Sequence, residues 1–228
     1  LHRLKEWRAA TPKLLAFGIF GLFGFHFFLF IALRNAPAIE VNLINYLWPL
    51  LMVLLAPLIL PGTILRSKHI AAALLGFSGA ILLATGGQFR FDLQHGFGYA
   101  CALLSALIWS TYSLFTKRIA SFPSGVVGAF CAVSGILSLL CYMIFEESKS
   151  LSYTDCFWIL MMGIGPMGLA FFTWDTALKR GEAATIGSLS YLTPLFSTAL
   201  LAATGAGTLS SLTLIAMILI IGGAVLGS

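Results

Sequence analysis

Charge is what this sequence has least of. Asp, Glu, Lys and Arg together make up 21 of its 228 residues, or 9%. A soluble globular chain carries roughly 25%. So little charge cannot solvate a protein surface, and an ordinary water-soluble domain is excluded. Intrinsic disorder is excluded as well, because it needs low hydrophobicity and high net charge. The four cysteines, Cys101, Cys131, Cys141 and Cys156, are too few for a disulfide scaffold and lack the C-x₂-C spacing of metal sites. They read as small apolar packing residues. Segments of alternating apolar and polar residues are missing, which argues against a β-barrel. No H-E-x-x-H, G-x-S-x-G or G-x-x-x-x-G-K-[ST] occurs, so a metalloprotease, a hydrolase and a nucleotide-driven pump find no support. The net charge of +5 is spread in short pairs between apolar runs, so nucleic acid is not an expected partner.

What is present is hydrophobic. Such residues form 59% of the chain, and the mean hydropathy is +0.98. A membrane-crossing helix needs about 20 mainly apolar residues. Eight runs qualify, at roughly 13–33, 37–60, 69–87, 97–116, 125–145, 156–178, 183–204 and 209–227. Breakers separate several of them: Arg34-Asn35-Ala36-Pro37, Pro61-Gly62, Ser121-Phe122-Pro123-Ser124 and Gly181. Thr11-Pro12 reads as an N-cap followed by proline at the first helical position. The expected class is an all-α polytopic membrane protein.

The loops divide by charge. One set holds Arg3, Lys5, Arg8, Lys13, Arg66, Lys68, Lys117, Arg118, Lys179 and Arg180; the other holds Arg34, Arg90 and Lys149. By the positive-inside rule both ends of this chain lie in the cytoplasm. The acidic residues Glu146, Glu147 and Asp155 fall on the opposite side.

An internal repeat runs through the chain at an offset of 145 residues. Ala32-Leu33-Arg34 matches Ala177-Leu178-Lys179. Tyr46-Leu47-Trp48-Pro49-Leu50 matches Tyr191-Leu192-Thr193-Pro194-Leu195, and Gly18-Ile19 matches Gly163-Ile164. Gly79-Ala80-Ile81-Leu82 matches Gly223-Ala224-Val225-Leu226 at an offset of 144. The repeat unit spans five helices, an odd number, so its copies insert in opposite senses, as in secondary transporters. The expected halves are 1–92, apparently lacking its first two helices, and 93–228, a complete five-helix repeat. Together they form one transport domain of a ten-helix protein with eight helices in this chain. A native eight-helix protein is the alternative.

Ten helices in two inverted halves, with Tyr-Leu-x-Pro at the fourth helix of each, resembles the drug/metabolite transporter superfamily, in its EamA-like branch. Ala38-Ile39-Glu40-Val41 followed by Asn45-Tyr46-Leu47-Trp48-Pro49 is similar to the YddG-type bacterial exporters of aromatic amino acids. The superfamily resemblance covers the whole chain; the narrower one rests on about a dozen residues. It implies a multi-pass protein of the bacterial inner membrane that exports aromatic and other amino acids, acting as a monomer without a cofactor. Alternatives are a multidrug or other metabolite exporter of the same fold and, distantly, an intramembrane enzyme. No catalytic or metal-binding residues are expected.

Ionisable groups inside a bilayer cost roughly 2.5–3.5 kcal/mol on insertion scales, so each needs a reason. Glu40 sits one turn inside the outer end of its helix. There it either caps the helix dipole or serves an outer gate or proton linkage. Asp175 has Lys179 four residues on and reads as a partly hydrated helix pair. His26 lies near mid-membrane, either bonded to a neighbouring helix or touching substrate. Pro49 and Pro194, also near mid-membrane, free the carbonyls of Asn45 and Ser190. Such paired interruptions point to a transport cavity.

Trp7, Trp158 and Trp174 lie near span ends, where the interfacial belt holds tryptophan. Trp48 and Trp109 lie near mid-membrane, where an indole N–H needs a partner. Asn45, Trp48 and Met52 share a helix face. The candidate substrate-binding set is therefore His26, Phe25, Asn45, Tyr46, Trp48, Trp109 and Tyr191, with Pro49, Pro194 and Glu40 as gate or hinge. Flat apolar walls with a few polar groups suit a planar aromatic ligand. Glycine clusters at Gly18, Gly21 and Gly24 and at Gly163, Gly165 and Gly168 permit close helix approach, either for static packing or for rocking of the two bundles.

Overall fold

A computed structural model describes residues 6–88, 92–119, 122–147, 150–204 and 210–227. Arg3, Lys5, Arg90, Ser121 and Lys149, used in the sequence reading, lie outside the described residues. The described chain is helical and contains no strand. Six helices are long and apolar enough to cross a membrane: α1 (Pro12–Asn35), α2 (Ala38–Ile59), α3 (Ser67–Thr85), α4 (Leu93–Arg118), α5 (Val126–Phe145) and α6 (Tyr153–Arg180). The seventh expected span, α7, is split into Ala183–Leu189 and Leu192–Ala203. The eighth, α8 (Ser211–Gly227), is shorter.

Local chemistry explains the ends. The Thr11 side chain accepts from the Leu14 N–H at 3.3 Å, with Pro12 at the first helical position. Ser152 and Asp155 close a reciprocal capping box at the head of α6. Gly86 ends α3 in the left-handed region at φ 57°, where a Cβ would be strained.

Helix irregularities recur at the 145-residue offset. α1 widens to π geometry at Ile19–Gly24, and α6 does so at Gly165–Leu169. Pro166 gives the second one a cause, since it donates no N–H to the turn before it. α2 loses helical geometry at Tyr46, and α7 at Ser190 and Tyr191. Each break sits just ahead of the matching proline, Pro49 or Pro194, where a carbonyl loses its donor. The two breaks are joined, because the Tyr191 hydroxyl donates to the Tyr46 carbonyl at 3.0 Å.

Glycines let the helices close. A Cβ on Gly18 would enter the Phe130 ring of α5, and one on Gly21 would enter the Tyr112 ring of α4. α3 and α8 pack reciprocally. A Cβ on Gly79 would lie 2.7 Å from the Ala216 carbonyl, and one on Gly223 would lie 2.7 Å from the Ala72 carbonyl. α4 is the most enclosed span, with small buried residues such as Ala102, Ser105 and Ala106 along it.

The charged ends lie on two faces. Of the nine described Lys and Arg residues, eight lie on the face where α2, α4 and α6 end, and Arg34 lies on the other.

Candidate functional site

α2 and α4 meet along a ladder of contacts. Nearest the cation-poor face, the Tyr99 hydroxyl donates to Glu40. One step deeper, the Ser105 hydroxyl donates to Asn45 Oδ1 at 3.3 Å. Deeper again, Trp48 meets Trp109 edge-on, with ring centroids 6.4 Å apart. Asn45 and Glu40 are thus engaged in helix contacts beside the tryptophans.

The Trp48–Trp109 step opens into an aromatic layer. Trp174 of α6 stands edge-on to Trp48 at 5.4 Å and stacks on Trp109 at 6.0 Å. Its indole N–H donates to Ser113 Oγ at 3.1 Å. Phe25, Tyr112 and Phe171 complete the surround of Trp109, at 5.2, 5.5 and 5.7 Å. Trp109 is 7% exposed. The layer is closed and packed.

Trp174 corrects the interfacial-belt expectation. Its distance from the end of the apolar run places it near the membrane surface. α6 reaches Arg180, however, and Lys179 is itself drawn inside. Trp158, by contrast, is 60% exposed near the other end of α6.

His26 borders this layer. Its ring meets Phe25 edge-on at 4.8 Å and Phe171 at 5.8 Å. Its Nδ1 lies 2.7 Å from the Leu22 carbonyl, within the π segment. A carbonyl only accepts, so Nδ1 carries the proton, and Nε2 of the neutral ring is left as an acceptor. His26 also lines a cavity of about 620 Å³ between α1 and α5. Phe23, Phe27 and Phe30 form one wall, and Ser138, Cys141 and Tyr142 form the other. Arg34 and Glu146 form an ion pair at its rim.

Tyr46 and Tyr191 lie elsewhere. Tyr191 is fully buried among Ala80, Ile220 and Phe77, and Tyr46 packs against the same cluster. They join the two helix breaks rather than touching the tryptophans. Pro49 and Pro194 are both buried beside those breaks.

Below the aromatic layer lies the pair that sequence reading expected to be partly hydrated. Asp175 is 2% exposed and bonds Lys179 at 2.8 Å. Lys179 also donates to the Phe122 carbonyl at 2.8 Å and sits 3.8 Å over the Phe122 ring. Asp175 Oδ1 has no hydrogen-bond partner among the described residues. Nearby, Lys117 donates to the carbonyls of Leu178 and Gly181, and Arg118 donates to that of Ile59. These bonds tie the ends of α2, α4 and α6 together. No His, Cys, Asp and Glu cluster suited to a metal occurs among the described residues.

Comparison with known proteins agrees with this architecture. An EamA-like transporter family model matches residues 1–85 and 96–228. An aromatic amino acid exporter, YddG, from Ancylobacter novellus is 45% identical over 91% of this chain and 72% of its own length. Exporters of the same name from Salmonella typhimurium and Escherichia coli are each 27% identical over 75% of this chain, which spans 60% of their length. A solved crystal structure at 43% identity superposes with a TM-score of 0.91, covering 95% of this chain and 78% of that one. The chain is a multi-pass membrane protein and belongs to the EamA-like transporter family.

Proposed function

We propose that this protein exports aromatic amino acids across the bacterial inner membrane by alternating access. The observation that carries the reading is the tryptophan layer of Trp48, Trp109 and Trp174 beside a cavity of about 620 Å³, with His26 at the border of both. That volume suits a small ligand, since such sites run from about 300 to 1,000 Å³. A substrate ring stacks on the aromatic walls, each such contact being worth about 0.5–1.5 kcal/mol. Nε2 of His26 accepts from the substrate ammonium, because Nδ1 is committed to Leu22.

Release and reloading require the layer to part. The cavity lies toward the cation-poor face, which we take as the outside. The Lys117, Arg118 and Lys179 bonds close the opposite, cytoplasmic face, where both ends of the chain lie. The breaks at Tyr46 and Tyr191 serve as hinges, with Pro49 and Pro194 preventing either from healing into regular helix. The halves 1–92 and 93–228 then rock as related units of opposite insertion. A cationic drug would need a carboxylate inside the cavity. The one lining it, Glu146, is at the rim and paired with Arg34, which favours the amino acid.

The test is transport in proteoliposomes, with phenylalanine and tryptophan as substrates and a lipophilic cation as competitor. His26→Ala, Trp48→Ala and Trp109→Ala are each expected to lower transport at least ten-fold. Unchanged transport in all three refutes the site. Transport of the cation alone refutes the substrate class.

A further inference from the structure

A second pocket, of about 340 Å³, opens on the cation-rich face between the α2–α3 loop and the start of α7. It lies apart from the tryptophan layer and is lined mainly by polar residues, among them Thr63, Arg66, Lys68, His69 and Glu182. Three features make it a built site. Arg66 is the N-cap of a 19-residue helix, and its side chain does not cap it. The first N–H groups of α3 therefore carry the positive end of the helix dipole without a side-chain acceptor. His69 stands in the first turn, where a side chain leans back toward the helix N-terminus. It is 4% exposed, lines the pocket, and its ring finds no hydrogen-bond partner among the described residues.

The third feature is charge separation. Arg66 and Glu182 line the same pocket, yet they form no ion pair. Opposite charges that share a pocket without meeting leave room for a ligand that carries both signs. The positive side, with Arg66, His69 and the α3 N-terminus, suits a phosphate. Glu182 suits an ammonium. Ile64, in the same lining, is 73% exposed and offers an apolar flank. Basic pockets between transmembrane helices at this level commonly take lipid headgroups.

We propose that this pocket binds a phosphoethanolamine group, supplied by phosphatidylethanolamine of the surrounding bilayer. The phosphate sits at the head of α3 and the amine at Glu182. The lipid thereby holds the α2–α3 loop against the start of α7.

Native mass spectrometry of the whole protein in detergent tests this, with phosphatidylethanolamine, phosphatidylcholine and soluble O-phosphoethanolamine as probes. Phosphatidylethanolamine is expected to be retained at least three-fold over phosphatidylcholine, whose methylated amine cannot donate to Glu182. Glu182→Gln should erase that preference. Arg66→Ala, at an exposed position, should lower retention about five-fold, the effect of one basic residue at an anionic surface. His69→Gln should lower it as well. Equal retention of the two lipids by the unmodified protein overturns the proposal, as does unchanged retention in Arg66→Ala. Displacement of the lipid by equimolar soluble phosphoethanolamine overturns the lipid as the source.

Discussion

The buried Asp175–Lys179 pair makes an asymmetric prediction. Lys179 has three acceptors: Asp175 at 2.8 Å, the Phe122 carbonyl at 2.8 Å and Ser124 Oγ at 3.4 Å. Among the described residues Asp175 has only Lys179, and its other oxygen lacks a partner. Removing the lysine strands a carboxylate at 2% exposure. Removing one partner of a buried pair costs about 3–5 kcal/mol. Lys179→Met should therefore lower the folding constant by roughly 10²- to 4 × 10³-fold, at 1.4 kcal/mol per decade. Asp175→Asn leaves Lys179 its carbonyl and hydroxyl acceptors, so its cost falls nearer 1–3 kcal/mol. The double change, which removes the stranded charge, should recover most of the Lys179→Met loss. Denaturant unfolding of the four proteins in one detergent measures this, with the coupling read as a double-mutant cycle. Equal losses for the two single changes would refute the account, as would a double variant no more stable than Lys179→Met.

Three more outcomes follow from the packing. Gly21→Ala should cost about 1–3 kcal/mol by overpacking, because its Cβ meets the Tyr112 ring. Gly163→Ala should be tolerated, because nothing lies within 4 Å of its Cβ; thermal unfolding in detergent compares them, and equal midpoints refute the packing argument. Tyr191→Phe leaves the Tyr46 carbonyl without the hydroxyl at 3.0 Å and should cost about 1 kcal/mol; the same assay detects it, and an unchanged midpoint refutes it. Arg34→Gln breaks an ion pair whose side chains are 60% and 44% exposed, so stability should change by less than about 1 kcal/mol and lose any dependence on salt.

Much of the fold was legible because the bilayer imposes a crude rule. Apolar runs of about 20 residues become spans, and Thr11-Pro12 and Gly86 end helices for local reasons. Pro49 and Pro194 marked the breaks, because a missing N–H acts wherever it occurs. The π segments were not legible. The glycines at 18, 21 and 24 allow close approach, but an extra residue in a turn depends on what approaches, here the rings of Phe130 and Tyr112. Of the candidate site, His26, Phe25, Trp48 and Trp109 come together, since similar depth on adjoining helices is enough to join them. Trp174 is not among them, because it stands close to the end of the apolar run 156–178 while α6 itself continues to Arg180. Tyr191 has the right depth but faces Gly76 and Phe77. Depth alone does not give azimuth. The cavity between α1 and α5 depends on a helix pairing distant in sequence and left no mark in it.

The cations of the positive face serve the helix ends. α2, α4 and α6 all end there, with carbonyls that lack helical partners and carry the negative end of the dipole. Lys117 donates to the carbonyls of Leu178 and Gly181, and Arg118 to that of Ile59. The acids mirror this on the other face, with Glu40 and Asp155 in the first turns of α2 and α6. The same charge asymmetry therefore also caps the helices. Arg66 and Lys68 break the pattern, because they stand at the start of a helix, where the dipole already repels cations. Helix capping does not account for placing Arg66 beside His69, whose ring bonds none of the described residues. An anion between Arg66 and the α3 N-terminus removes the conflict, because it turns two mutually repelling positive features into one site.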